Sequence, residues 1–164
     1  KGLFGASWML GLVSEFAYSG IDSIALGALD GPDGMIYTKQ DYISDFFENK
    51  NLEVFPAFHV LKGLTTEIGS DLREVKCNQK NHISTIAIDT INGLELWIGN
   101  RTNLKKTVRI SGISEGSRIN FIDESNFDKA LKHDYLNSKG KLMDQNNEVE
   151  LSPYAVVRIK SSED

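Results

Sequence analysis

Two aspartates in one turn are the residues of this sequence best placed to do chemistry. Asp30 and Asp33 lie in the run Asp30-Gly31-Pro32-Asp33-Gly34, directly after an apolar stretch. Carboxylates on a loop beyond a strand can hydrogen-bond a polar ligand. The alternative is structural, because Asp-Gly and Pro-Asp-Gly are common turn sequences. We favour the turn and predict that neither aspartate is catalytic.

A tyrosine and a histidine are two further candidates for contact with a ligand. Tyr37 follows the same turn and could stack on a ring through its apolar face. His59 lies within a predicted helix, beside Phe58 and Val60, where it could act as a base. A histidine that packs while hydrogen-bonded to a neighbouring loop is the favoured alternative for His59.

The residue patterns of the sequence predict no metal site, no disulfide, no catalytic nucleophile and no phosphate-binding loop. The three histidines form no HExxH or HxH pattern, and Cys77 is the only cysteine, so neither a metal site nor a disulfide is predicted. No serine is predicted to be a nucleophile paired with a base, and Gly31 to Gly34 do not form a phosphate-binding glycine pattern. We therefore predict no catalytic residue, no metal and no cofactor in this chain.

Composition excludes several classes of protein. The 164 residues are 40% hydrophobic and 25% charged, which is typical of a folded domain. The net charge is −5 and the basic residues are scattered along the sequence, which argues against nucleic acid as a partner. The apolar run from Gly2 to Val13 is shorter than a membrane span, so no membrane partner is predicted. A single cysteine slightly favours the cytoplasm.

Helical periodicity marks the first part of the chain. A helix is predicted over Leu3 to Ser19, with Trp8 in the core, and a second helix begins at Pro56 and ends before Gly69. Between them, Ile21 to Leu29 is apolar at both alternating positions, which is typical of a parallel strand buried on both faces. A long loop to Leu52 follows, predicted to be partly helical from Tyr42 to Phe47.

After Asp71 the period changes to two, which is typical of strands. Seven strands are predicted, and they suggest an antiparallel β-sandwich. They cover Leu72 to Val75, Ile83 to Ile91, Leu94 to Gly99, Thr107 to Ile110, Arg118 to Ile122, Glu148 to Leu151 and Ala155 to Ile159. Asn92-Gly93 predicts a type I′ hairpin with positive φ at both residues. The polar insertion from Glu124 to Asn147 is predicted to be a surface loop.

The predicted parallel strand has no parallel neighbours nearby. We therefore expect the chain, which begins with Lys1 rather than Met, to be the C-terminal piece of a larger α/β protein. The alternative is that the strand joins the downstream sheet. An isolated chain should associate with another copy or be partly disordered.

This order of elements resembles the C-terminal part of glycoside-hydrolase-like proteins, in which a β/α (TIM) barrel precedes a β-sandwich. It is most similar to the D-apionate lactonase family. The likeness is carried by FGASWMLGLVSEFAYSGIDSIALGALDGPDGMIY from Phe4 to Tyr37, FPAFHVLKGL from Phe55, LELWIGNRT from Leu94 and LSPYAVVRIK from Leu151. The resemblance implies an α+β chain: the terminal helix-strand-helix segment of a barrel at residues 1–69 and an antiparallel β-sandwich at 70–164.

The resemblance implies a carbohydrate-processing hydrolase, either a glycosidase or a sugar-acid lactonase, of which this chain supports the barrel and rims its pocket. Asp30, Asp33, Tyr37 and His59 would be the substrate-binding candidates. The expected partners are a carbohydrate or sugar-acid substrate and the upstream barrel segment or another copy of the chain. The isolated chain is expected to be inactive. The alternative is a non-catalytic sandwich module that binds carbohydrate or protein.

Overall fold

The structure, a computed structural model, describes residues 2–31, 34–37 and 53–161. Its helices are α1 (Leu3–Ala17), α2 (Pro56–Thr66) and α3 (Phe127–Ala130). Its strands are β1 (Ile36–Tyr37), β2 (Glu53–Val54), β3 (Asp71–Arg73), β4 (Ile83–Thr90), β5 (Gly93–Asn100), β6 (Lys106–Arg109), β7 (Arg118–Ile122), β8 (Lys141–Leu142), β9 (Glu148–Leu151) and β10 (Val156–Ser161). Within these ranges no helix is long and apolar enough to cross a membrane.

The centre of the fold is a six-stranded antiparallel sheet in the order β3-β4-β5-β10-β7-β8. The β6–β9 pair contributes Val149 and Leu151 to the core on one face of this sheet. Helices α1 and α2 cover the other face. All seven predicted strands form, with ends within two residues of those predicted. The α+β class and the antiparallel sandwich are thereby confirmed.

Both faces of the central strands of the six-stranded sheet are largely buried, and their side chains alternate between two cores. Ile86, Trp97 and Val156 point toward the helices. Their neighbours Ala87, Ile98 and Val157 point toward β6 and β9. Because successive side chains of a strand lie on opposite faces, apolar residues at both positions are expected of a sheet covered on two sides.

Helix α1 faces the sheet with its small residues. Ser7 Oγ donates a hydrogen bond of 2.7 Å to the backbone oxygen of Asn100, and Ser7, Gly11 and Ser14 are all buried. Trp8 is 53% exposed, so its prediction as a core residue is wrong. Small side chains let the helix backbone approach the strands closely, and the bulky ring of Trp8 is left exposed.

Ile21 to Leu29 does not form the predicted strand. The segment lacks regular structure, and Ile21, Ile24 and Leu29 are all exposed. It also does not join the downstream sheet, whose strands begin at Asp71. A strand buried on both faces needs neighbours to pair with and layers to cover it, and the described part of the chain supplies neither.

The predicted hairpin is present, but its turn is of another kind. Thr90 pairs with Gly93, which leaves Ile91 and Asn92 as the loop. Gly93 has a φ of 111°, whereas Asn92 does not have a positive φ. A type I′ turn is therefore wrong here. The Thr90 hydroxyl accepts the Asn92 N–H and donates to the Gly93 carbonyl, which stabilises the observed turn.

The polar insertion from Glu124 to Asn147 is more than a surface loop. It contains α3, two single 3-10 turns and strand β8, which pairs with the edge of the sheet. Ala130 and Leu131 are buried. Asp123 caps the first of these turns by accepting the Asn126 N–H, which is a local signal for helix initiation.

Helix α2 begins at Pro56 and lies against α1 and the sheet. Pro56 occupies the first helical turn, where its missing N–H costs nothing. Gly63 is buried directly over the indole of Trp97. A β-carbon at position 63 would overlap the indole ring, so the glycine sets the distance between helix and sheet.

We predict that Gly63→Ala destabilises the chain relative to Gly5→Ala. Both glycines are helical, so the gain in helix propensity is shared, but a β-carbon at Gly5 meets nothing within 4 Å. The overlap with Trp97 should separate the two unfolding free energies by about 1–3 kcal/mol. Urea denaturation of both variants measures this difference. Equal stabilities would contradict the close contact.

Candidate functional site

The described residues on either side of the predicted turn lie close together. The Leu29 carbonyl accepts the backbone N–H groups of Met35 and Ile36, at 2.9 and 2.7 Å, and Asp30 is exposed on the turn. Asp33 lies outside the described residues. The geometry agrees with the turn role given to Asp30, and its contact with substrate stays a prediction.

Tyr37 belongs to a small apolar cluster. Its side chain is fully buried with Phe55 and Leu131, and strand β1, which contains it, pairs with β2. The backbone N–H of Val54 in β2 donates to the Leu131 carbonyl, which ties this ribbon to the insertion. The ring of Tyr37 thus packs in the described structure, and stacking on a substrate stays a prediction.

His59 is held by the insertion that follows β7. Its Nε2 lies 2.8 Å from the backbone oxygen of Ala130, so this nitrogen carries a proton and donates. The ring is 1% exposed and makes edge contacts with Phe58 and Tyr135. Burial lowers the pKa of His59 below its ordinary value. His59 therefore has the geometry of the favoured alternative, a packed histidine hydrogen-bonded to a neighbouring loop. Only its Nδ1 could act as a base.

His59 also lines a cavity of about 530 Å³ between α2, the sheet and the insertion. Helix α2 contributes Lys62, Gly63 and Thr66, and Glu67 follows it. The remaining wall is formed by residues of β7, β10 and the insertion: Arg118, Asn120, His133, Leu136, Asn137, Ser138, Lys139, Arg158 and Lys160. We call this space the basic cavity.

The sheet side of the basic cavity is a polar row across three strands. Arg158 of β10 pairs with Trp97 of β5 on one side and with Asn120 of β7 on the other. Lys160, two residues later, pairs with Glu95 and Arg118 in the same way. Paired residues project to the same face of a sheet, which brings these side chains together.

Glu95 is the buried anion of this row. Its Oε2 lies 2.7 Å from Arg158 Nη2 and 3.4 Å from Lys160 Nζ, while its Oε1 accepts the Trp97 indole N–H at 2.7 Å. Glu95 is 2% exposed and Arg158 is 8% exposed. The Arg158 guanidinium also lies 5.5 Å from the Trp97 ring centroid, in cation–π contact.

Reasoning from the sequence missed the basic cavity, apart from His59. Its residues come from elements far apart in the chain, and no local motif joins them. One signal was available: in RINFI and VVRIK, charged or amide residues alternate with apolar ones in strands that are otherwise buried. Such residues mark a polar strip on a covered sheet, which must be paired or functional.

Comparison with protein families gives two matches along the chain. The D-apionate lactonase TIM barrel domain matches residues 1–69, and the D-apionate lactonase C-terminal immunoglobulin-like domain matches residues 81–159. The chain belongs to the D-apionate lactonase family. It consists of a TIM barrel fragment followed by an immunoglobulin-like domain, as the resemblance implied.

Among solved structures, the chain is similar to a GH30 endoxylanase from Clostridium papyrosolvens C71, with 10% identity and a TM-score of 0.49. The match covers 67% of this chain and spans 28% of the endoxylanase chain. No curated protein matches the chain.

In this family member, the two matched stretches meet at the row that contains Glu95. Helices α1 and α2 lie in the barrel stretch, whereas Trp97 and Arg158 lie in the immunoglobulin-like stretch. The basic cavity is therefore formed where the barrel segment packs on the sandwich.

We predict that Glu95→Gln strongly destabilises the chain. Glutamine can still accept from Trp97, but Arg158 is left buried without its counter-charge, which costs about 3–5 kcal/mol. Glu150→Gln is the matched control, because the Glu150–Lys105 ion pair is 60% exposed on both sides and should lose less than about 1 kcal/mol. Chemical denaturation measures both losses. Similar small losses of unfolding free energy in both variants would show that Arg158 does not need the charge of Glu95.

We predict that His59 makes the chain less stable at mildly acidic pH. Because its pKa is lower when folded, the unfolded chain binds the proton first, and stability falls as pH drops from about 6.5 to the folded-state pKa. His59→Gln should flatten this pH dependence, whereas the exposed His82→Gln should leave it unchanged. Unfolding free energies measured from pH 8 to pH 5 test this. An unaltered slope in the His59 variant would refute it.

Proposed function

We propose that this chain is the C-terminal part of a carbohydrate-processing hydrolase, either a glycosidase or a sugar-acid lactonase. In this proposal the sandwich supports the barrel, and the turn at Asp30 rims the substrate pocket. The carbohydrate or sugar-acid substrate then binds through the parent protein. The observation that carries the proposal is an apolar surface left exposed within the stretch matched to the barrel domain.

That surface begins on α1. Phe4 and Trp8 are 58% and 53% exposed, and the Phe4 ring also makes an edge contact with the ring of Tyr154. It continues along the following segment, where Ile21, Ile24 and Leu29 are exposed. Exposed apolar residues that continue from one element to the next are typical of a surface covered by further protein. The remaining strands and helices of a barrel would cover it.

The support that the sandwich gives is a shared core rather than a flexible contact. Leu10 of α1 lies over Gly99 of β5, and Ser7 is bonded to Asn100. Gly63 of α2 lies over Trp97. Helices that enclose a core with the sheet cannot turn independently of it, so the sandwich fixes the position of the last barrel segment.

The proposal gives the bond-breaking groups to the rest of the parent protein. Glycoside cleavage needs two carboxylates about 5–9 Å apart, on opposite sides of the scissile bond. Asp30 and Asp33 share one short turn, and they suit hydrogen bonds to substrate hydroxyls better than a catalytic pair. Opening of a lactone instead needs an activated nucleophile and stabilisation of an oxyanion, which neither aspartate provides.

We predict that the chain alone shows no turnover of lactones or aryl glycosides and that its full-length parent does. In the parent, Asp30→Asn should raise KM more than it lowers kcat, because it removes a contact with the bound substrate. Asp89→Asn is the control, since Asp89 is paired with Arg73 on the sandwich. Steady-state kinetics measures both constants.

Turnover by the chain that is abolished by Asp30→Asn would contradict the proposal, since the active site would then be complete here. A parent inactive on both substrate classes would also contradict it and would favour a non-catalytic module that binds carbohydrate or protein.

A further inference from the structure

We propose that the basic cavity binds a phosphate group carried on a small polyhydroxylated molecule. The proposal concerns a ligand site formed by the barrel segment and the sandwich together. It does not depend on the reaction of the parent protein.

The charge of the cavity wall is the first reason. Five cationic side chains line the cavity, against one acidic side chain, Glu67: they are Lys62, Arg118, Lys139, Arg158 and Lys160. The chain as a whole has a net charge of −5, so this concentration of positive charge runs against its composition. Positive charges that line a concave surface focus the field and attract anions.

The buried carboxylate of Glu95 neutralises only part of this charge. It pairs with Arg158 and Lys160, the two cations nearest to it. The ion pairs of the described residues include no acidic partner for the other three, Lys62, Arg118 and Lys139. This surplus suits a dianion such as phosphate better than a single carboxylate.

Two of the three surplus cations are already held at the wall. Lys62 Nζ donates to the His133 carbonyl at 3.1 Å, and Arg118 Nη1 donates to the Gly140 carbonyl at 3.2 Å. Each head group keeps further N–H donors that these bonds do not use. Side chains fixed near their binding positions lose less conformational entropy when a ligand arrives.

Arg158 gives the wall a buried donor. Its Nη2 is bound to Glu95, which fixes the guanidinium plane, while its buried Nε has no hydrogen-bond partner in the structure. A buried donor without an acceptor is unfavourable, and a phosphate oxygen bound beside the guanidinium would satisfy it. Guanidinium groups match the geometry of phosphate oxygens.

The neutral groups of the wall indicate what the phosphate is attached to. Asn120 and Ser138 are hydrogen-bonded to each other at 2.9 Å beside the cations. The Glu67 carboxylate repels a phosphate group placed beside it but accepts hydrogen bonds from hydroxyl groups. A volume of about 530 Å³ accommodates a molecule of sugar-phosphate size. A phosphate ester with hydroxyls therefore fits better than inorganic phosphate.

Titration calorimetry with glucose 6-phosphate, inorganic phosphate and glucose tests the proposal on the chain itself. Glucose 6-phosphate should bind with the highest affinity, phosphate more weakly and glucose not measurably. Affinity should fall with added salt, since the attraction is between charges. Equal affinity for the two phosphates would overturn the assignment of the ester, and binding of neither would overturn the site.

Lys62→Gln and Lys139→Gln should each weaken binding of glucose 6-phosphate about tenfold, as expected for the loss of one charged hydrogen bond. Lys105→Gln is the control, because Lys105 lies outside the cavity wall and its substitution removes the same single positive charge. Thermal denaturation establishes that all three variants fold. An equal loss in the control would mean that the phosphate senses net charge alone and would refute the site.

Discussion

A buried carboxylate near the centre of the sheet fixes much of the rest of the structure. Glu95 lies on the helix-facing side, where water cannot solvate it, so neighbouring groups must satisfy its charge. Arg158, on the adjacent strand β10, forms an ion pair with Glu95. The indole of Trp97, two residues further along β5, donates a hydrogen bond to it. The hydrogen bond from the indole to Glu95 fixes the orientation of the Trp97 ring, which lies under α2. Helix α2 can approach this ring closely because residue 63 is glycine.

Those parts of the fold that depend on local pattern could be predicted from the sequence. Apolar alternation located seven of the ten strands in the described residues, and Pro56 located the start of α2. The errors arose where distant residues decide the outcome. The face of α1 that carries small residues is buried against the sheet, where the Asn100 carbonyl accepts a hydrogen bond from Ser7. The segment from Ile21 to Leu29 has the apolar pattern of a strand, but no strand lies beside it for pairing. Periodicity reports which residues could be buried, but not which partner buries them.

The candidate site was less predictable. The favoured reading of His59, as a packed histidine bonded to a loop, agrees with its geometry, and so does the turn at Asp30. The basic cavity could not be located, because strand register across β5, β10 and β7 aligns its residues and the insertion closes it. Charged residues within apolar strands can be recognised in the sequence. Which of them become neighbours is decided by the register between strands that are far apart in the chain.

The hydrogen bond between Ser7 and Asn100 has a consequence for biosynthesis. Its two residues are separated by 93 positions, so α1 leaves the ribosome long before the strand that accepts it. At ordinary rates of translation this interval is roughly 5 to 20 s. During that time the side of α1 that later rests on the sheet has no strand to cover it, and Phe4 and Trp8 are exposed as well. The apolar side chains of the nascent helix therefore stay uncovered until β5 has been synthesised.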